Sequence, residues 1–467
     1  MLSPLVLAAT IALLMWVSVP GPTGVETAAA GPEDEQPAAR TPSAERGYRH
    51  MLETAYVPGH FDQALFDKLW TIWPEPLRAR AERASVAARR SLAFTRYGLT
   101  PRPGEEASGK PLQFVVDAKG VWSMNCLACH AGHLDGRAIP GLPNSHLALQ
   151  TLYDDVAKAK RAHKVPLGPY DLAAKLLPMG TTNGTTNAVI FSVALLKLRN
   201  KDLEVVGNPM GILAEKHHDL DAPPWWNVHK RPHFYVDGFA KKNARTLMQF
   251  MLVPQNGPEV LKRAEADYDD MLAYLENLRP PAYPGPIDAA LAAKGKDVYM
   301  AHCSRCHGDD VVYPDVIVPL DEIGTDPVRF RALSQAQRTI YTDSWLAEYD
   351  AKGTRPNTDG YVAPPLDGIW ASAPYFHNGS VPTLWHLLRP SKRPKVWRRS
   401  LEGYDYVRGG LALAFEGDAI PENVTRPDAR RAWFDTSKEG KSATGHLFPA
   451  PLLEAEKDAL LEYLKTL

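Results

Sequence analysis

Cys303-Ser304-Arg305-Cys306-His307 and Cys126-Leu127-Ala128-Cys129-His130 are the two stretches on which the fold turns. In each, two thiols three positions apart can add across the two vinyl groups of one haem, and the adjacent histidine is placed to ligate its iron. The 467-residue chain has four cysteines and the motifs use all of them, so no thiol remains for a disulfide or a nucleophile. Structural zinc is the competing reading, but its C-x-x-C pairs usually recur within about 15–20 residues. Here the pairs lie in different thirds of the chain, and a histidine directly follows both. The sequence therefore reads as a carrier of two covalently attached c-type haems.

Working outward, residues 2–19 are almost wholly apolar, and Ala28-Ala29-Ala30 offers a small-residue cleavage site before an acidic stretch. This predicts an export signal over residues 1–30 and a periplasmic or secreted body. The first residues carry no Lys or Arg, so an uncleaved N-terminal anchor is the alternative. The remaining chain has room for two or three domains. Lys plus Arg (53) balances Asp plus Glu (54), which gives no argument for a nucleic-acid partner. Gly (33) and Pro (41) are plentiful while alternating runs are few, so the expected fold class is mainly α, with two cytochrome c-type domains, long structured loops and little β.

Residues 31–47 read as a flexible leader. From Tyr48 helical spacing sets in, with Phe61, Leu65, Leu69 and Ile72 three or four positions apart until Pro74 and Pro76 interrupt. An arginine-rich helix then runs from about Pro76 to Phe94. The first haem motif is followed by His133, Pro140, Gly141 and Pro143, which predict an irregular loop. His133, three residues past His130, would share a helix face with it and is poorly placed to reach the far side of the iron. Helices are expected over 153–162, 188–198, 244–252 and 259–278. Between them, Gly180 to Asn187 either supplies oxygens to a calcium ion or makes a plain turn. Trp225 and Trp226 stand either as packing residues or as an electron relay between the haems. Residues 48–280 form the expected N-terminal haem domain and 280–286 a Pro-rich boundary. Residues 287–467 form a C-terminal cytochrome c domain, whose opening helix runs into Cys303 and whose closing helix near 452–464 packs back on it.

None of the ten methionines lies after Met300. Unless the first domain reaches over, the second iron takes His377, His386 or His446, or stays open. His446, late in the chain and among loop-forming residues, is the preferred sixth ligand and His377 the runner-up. For the first iron, His146, His163, His217, His218, His229, His233 and several methionines stay undecided. Arg389, Lys392, Arg393, Lys395, Arg398 and Arg399 form a basic run, either a solvated loop or a dock for an acidic redox protein.

The two motifs, the segment Ala373 to Leu384 and the segments Phe434 to Ser437 and Gly445-His446 resemble the bacterial di-haem cytochrome c peroxidase superfamily, in particular the branch of the latex-cleaving rubber oxygenases. That resemblance, over roughly residues 110–467, implies two c-type haem domains in a pseudo-twofold arrangement. It implies a catalytic N-terminal haem reacting with peroxide or dioxygen, and an electron-transferring C-terminal haem held by His307 and His446. A small redox protein and a small-molecule oxidant are the implied partners. The chain departs from typical peroxidases of that superfamily in offering no methionine downstream of the second motif. The alternative is a pure electron-transfer cytochrome with both irons six-coordinate.

Overall fold

The computed structural model describes residues 41–206, 217–309, 311–348, 353–355 and 358–467. The expected export signal and residues 31–40 of the leader lie outside the described residues. The structure is 42% helix and 14% strand, with no closed sheet among the described residues, which makes it mainly helical. No helix among the described residues is long and apolar enough to cross a membrane.

The leader ends earlier than expected. Ser43 caps a helix over Ala44–Glu53, with its side chain accepting from Arg46 N. This helix lies on the long Pro258–Asn277 helix, where a Cβ on Gly47 would stand 2.1 Å from Asp270 O. Arg46 Nε and Nη2 each lie 2.9 Å from the Asp270 carboxylate, whose side chain is fully buried. Burial of this polar clamp outweighs the leader's low hydrophobicity.

The N-terminal unit has two cores. One is aromatic: Trp122 and Phe66 stack at 4.3 Å, among Phe61, Phe94 and Phe114. A three-stranded antiparallel sheet carries it, with Phe61 opposite Trp122 and Phe114 opposite Met124. The other core gathers the helices Ala188–Lys197 and Pro258–Asn277 around Met248, Met251 and Leu261. It also takes Tyr341, Leu346 and Ala347 from beyond the Pro-rich boundary. Tyr341 and Thr246 share a hydroxyl hydrogen bond of 2.6 Å, so residues of the C-terminal half pack into the N-terminal unit.

The C-terminal unit opens with the helix Ala289–His302 and closes with Glu454–Leu464. A Cβ on Gly295 would fall 1.9 Å from Ala459 O, so glycine is what lets these two backbones touch. Between them, where the sequence predicts loop, lies a long antiparallel hairpin of Val396–Asp405 and Gly410–Gly417. Its register shifts near Arg398 and Arg399, and those shifts hide the alternation by which strands are recognised.

A second β element replaces the irregular loop expected after the first motif. Ala131–Leu134 pairs with Arg137–Pro140 across Asp135-Gly136, whose φ values are +48° and +76°. That is the two-residue turn favoured by Asp-Gly. His133 therefore sits on a strand, not a helix. A small apolar cluster of Leu134, Leu142, Trp226, Trp370 and Ala371 ties the two units together.

Candidate haem centres

Each C-x-x-C-H occupies one short helical turn, Leu127–His130 and Ser304–His307. This turn brings both thiols and the imidazole to one side. Cys126 is exposed, yet desolvation pushes its thiol up to about 11. The same burial takes Cys129 up to about 12, Cys303 to about 11 and the His130 imidazole down to about 4. Desolvation thus keeps these thiols and the imidazole in their uncharged forms.

The two histidines are oriented alike. His130 Nδ1–H donates to Pro223 O at 3.0 Å, and His307 Nδ1–H to Pro364 O at 2.8 Å. A backbone acceptor at Nδ1 fixes the tautomer and leaves Nε2 for a metal. Both acceptors sit in the same tripeptide, Ala222-Pro223-Pro224 and Ala363-Pro364-Pro365. Sequence reading missed these residues, although the repeated Ala-Pro-Pro was visible in it. The repeats are also joined to each other: Asn227 Nδ2 donates to Pro365 O at 2.9 Å, and Trp226 Nε1 to Asp367 O at 2.7 Å. Lys230 closes the joint on the Asp367 carboxylate at 2.7 Å.

The far sides differ. The His307 and His446 ring centres stand 6.2 Å apart. Two metal–imidazole bonds of about 2 Å, with about 1.1 Å from each nitrogen to its ring centre, span about 6.2 Å. His446 is held by its left-handed backbone (φ +47°), by His446 N donating to Ile323 O at 2.6 Å, and by Arg393. The Arg393 Nη1 donates to Ala443 O at 2.7 Å and Gly445 O at 2.8 Å. Burial, then the neighbouring His307 and Arg393, lower the His446 imidazole to about 3, so it is neutral and able to bind a metal. At the first centre the ring meeting His130 is that of Trp225, stacked face to face at 4.6 Å and 21°. Trp225 lies beside the imidazole and not across an iron from it.

The other candidates go elsewhere. His377 packs on Tyr361 at 4.5 Å, and its carbonyl accepts from Asp221 N. His386 is a core residue, with Nδ1 on Thr383 and Nε2 3.3 Å from Glu416. His233 spends both ring nitrogens, on Asp315 and on Gly353 O. His229 bonds Trp226 O, His217 bonds Asp219 and the exposed His163 bonds Thr71. His218 is buried. His133 and His146 pack together at 4.5 Å and line a cavity of about 290 Å3 between the units.

Two stretches left with alternatives can be placed. The Gly180–Asn187 loop does not present its oxygens to a cation. Thr181 donates its N and Oγ1 to Asp219, and Lys441 takes the cation's place 2.9 Å from that carboxylate while bonding Thr182. Among the described residues no group of three or more His, Cys, Asp or Glu is arranged to hold a metal ion. The basic run is split: Lys392 and Lys395 are exposed, while its arginines turn inward to different degrees. Arg389 is buried and paired with Glu454 and Asp458, Arg399 is buried, and Arg393 turns onto backbone carbonyls. Apolar contacts and carbonyls draw the long arginine stems inward.

Comparison with known proteins agrees with this chemistry. Residues 360–398, which carry Pro364 and His377, match the family model described as RoxA-like, cytochrome c-like. That match supports a RoxA-like cytochrome in general and implies a c-type haem with iron. Two curated relatives come from Sinorhizobium fredii, both described as uncharacterized. Protein y4iM is 29% identical over 251 residues, covering 48% of this chain and 56% of the relative. Protein y4iJ is 30% identical over 259 residues, covering 41% of each. The chain thus spans about half the length of the curated relatives it matches.

Proposed function

We propose that the protein is an exported di-haem c-type cytochrome acting as an oxidoreductase. In this reading Cys126, Cys129 and His130 would hold a haem that supplies reactivity toward peroxide or dioxygen, and Cys303, Cys306 and His307, with His446, would hold one that supplies electron transfer. The observation that carries the reading is the unequal far sides of the two imidazoles. His307 faces His446 at 6.2 Å, whereas the ring beside His130 is only stacked on it. When bound, the irons supply one-electron chemistry and, where a coordination position is open, reactivity toward the oxidant.

The chain's own residues hold and join the centres. Pro223 and Pro364 orient the two imidazoles. Trp226 is fully buried between the two Ala-Pro-Pro segments, and with Trp225 against His130 it forms the proposed electron path. A small redox protein would exchange electrons at the surface. The apolar Leu2–Val19 stretch and the c-type attachment chemistry support export.

Carbon monoxide added to the fully reduced protein tests this. Binding at one haem per chain, with rapid spectral change on adding peroxide or dioxygen, is the expected result. Two haems that both resist carbon monoxide would replace the reading with a pure electron-transfer cytochrome.

A further inference from the structure

Behind the second centre lies a polar group that none of the roles above uses. Arg329 is 1% exposed, Arg338 4% and Asp237 0%. Arg338 Nη2 stands 2.6 Å and Arg329 Nη1 3.5 Å from the same oxygen, Asp237 Oδ2. Two guanidinium groups thus share one carboxylate, and the pairing is close without being aligned. Among the described residues no hydrogen bond satisfies any of the three Arg329 nitrogens, either terminal nitrogen of Arg338 or either oxygen of Asp237. The rings of Phe239 and Phe330, 5.2 and 5.5 Å from the Arg338 guanidinium, offer no acceptor atom. Interiors leave few polar atoms unmatched, and a buried cation without partners is costly. A surplus positive charge with a planar fork of donors calls for an anion that can accept two parallel bonds.

The location narrows the source. Phe330 N donates to Tyr361 Oη, and Tyr361 leads through the strand Gly360–Val362 to Pro364, whose carbonyl holds His307. The Tyr361 ring packs on His377, and its neighbour Phe376 lies 6.0 Å from His446. Arg329 is thus linked through Phe330 and Tyr361 to the segment whose carbonyl holds His307 and to the one whose Phe376 neighbours His446.

We propose that Arg329, with Arg338 beside it, seats a carboxylate inside the protein. A propionate of the second haem would present that carboxylate, a source that rests on the di-haem reading, or a free small carboxylate would occupy the seat. A guanidinium there keeps the carboxylate ionised and neutralises it, which favours the reduced iron; its removal lowers the reduction potential.

The test uses the purified full-length protein after haem absorbance and mass have given the haem count. Spectroelectrochemical titration over a pH series compares wild type with Arg329→Gln and Arg329→Lys. Wild type and variants are also melted with and without formate. For a propionate, Arg329→Gln lowers the potential of the second haem alone and makes it pH-dependent, Arg329→Lys lies between, and formate changes nothing. For a free carboxylate, formate raises the wild-type melting temperature saturably and the Gln variant loses that response. Unchanged potentials with no formate response overturn the proposal. Should the Gln variant fail to accumulate, Arg329→Lys decides alone, because it keeps the charge and loses the fork. A protein without haem would sink the di-haem reading and leave the formate melts to decide the seat.

Discussion

Gly445→Ala is expected to part His446 from His307 without altering either imidazole. Gly445 has φ +78°, and a Cβ built on it would lie 2.2 Å from Gly324 C, 2.3 Å from Thr325 N and 2.4 Å from Gly324 O. Real Cβ atoms essentially never come under 3.0 Å, and all three obstacles are backbone. The loop must therefore retreat by at least about 0.8 Å, since packed backbone does not yield. A retreat of that size along the line between the rings opens the 6.2 Å between ring centres to about 7 Å, against the about 6.2 Å that two metal–imidazole bonds span. Strain from a left-handed alanine adds about 1–2 kcal/mol and overpacking about 1–3 kcal/mol. The assay is the visible spectrum of the reduced protein with a carbon monoxide titration, supported by thermal melts. Wild type should bind one carbon monoxide per chain, and Gly445→Ala, like His446→Ala, two. A Gly445→Ala protein with the wild-type spectrum and one carbon monoxide per chain would refute the reasoning.

Gly295→Ala places a methyl 1.9 Å from Ala459 O. It should destabilise the C-terminal unit by about 1–3 kcal/mol or more, read as a lower melting temperature; an unshifted melt would show that the two helices do not touch there. Trp226→Phe strands the Asp367 carbonyl and should cost about 1–3 kcal/mol in denaturant melts while leaving the haem content unchanged. The Asp219 carboxylate is pushed up by burial, but the His217 hydrogen bond, Lys441 and Thr181 together hold it far below its usual range. A depressed carboxylate contributes stability that is present above its unfolded pKa of about 3.9 and lost as pH falls below that value. Asp219→Asn should therefore flatten the loss of stability below about pH 4, while costing about 3–5 kcal/mol at neutral pH because Lys441 stays buried. Equal slopes for wild type and variant in melts at graded pH would contradict this.

The parts of the molecule legible in the sequence were those written in local chemistry. The two C-x-x-C-H turns, the helices near 149–162, 188–197 and 258–277, and the opening and closing helices of the C-terminal unit follow from thiol spacing and helical periodicity. The meeting of His446 with His307 was legible because methionines run out after Met300 and because glycine precedes His446. What escaped notice depended on partners distant in sequence. The 396–417 hairpin is hidden by register shifts, and Arg389 and Arg393 before it, with Arg399 inside it, are claimed by carboxylates and carbonyls distant in sequence. The helix at Ala44–Glu53 exists because of Asp270, over two hundred residues away. The Asp135-Gly136 turn and the doubled Ala-Pro-Pro, by contrast, are both local signals present in the sequence.

That doubling has a mechanical consequence. Proline cannot rotate about φ, so each carbonyl gripping an imidazole is presented by a stiff hinge pin, and Asn227 and Trp226 bolt one pin to the other. Displacing either histidine must then tug on its counterpart, and the two centres behave as a single linked frame. Lengthening the stretch between Pro224 and Asn227 by one residue would throw both out of true together.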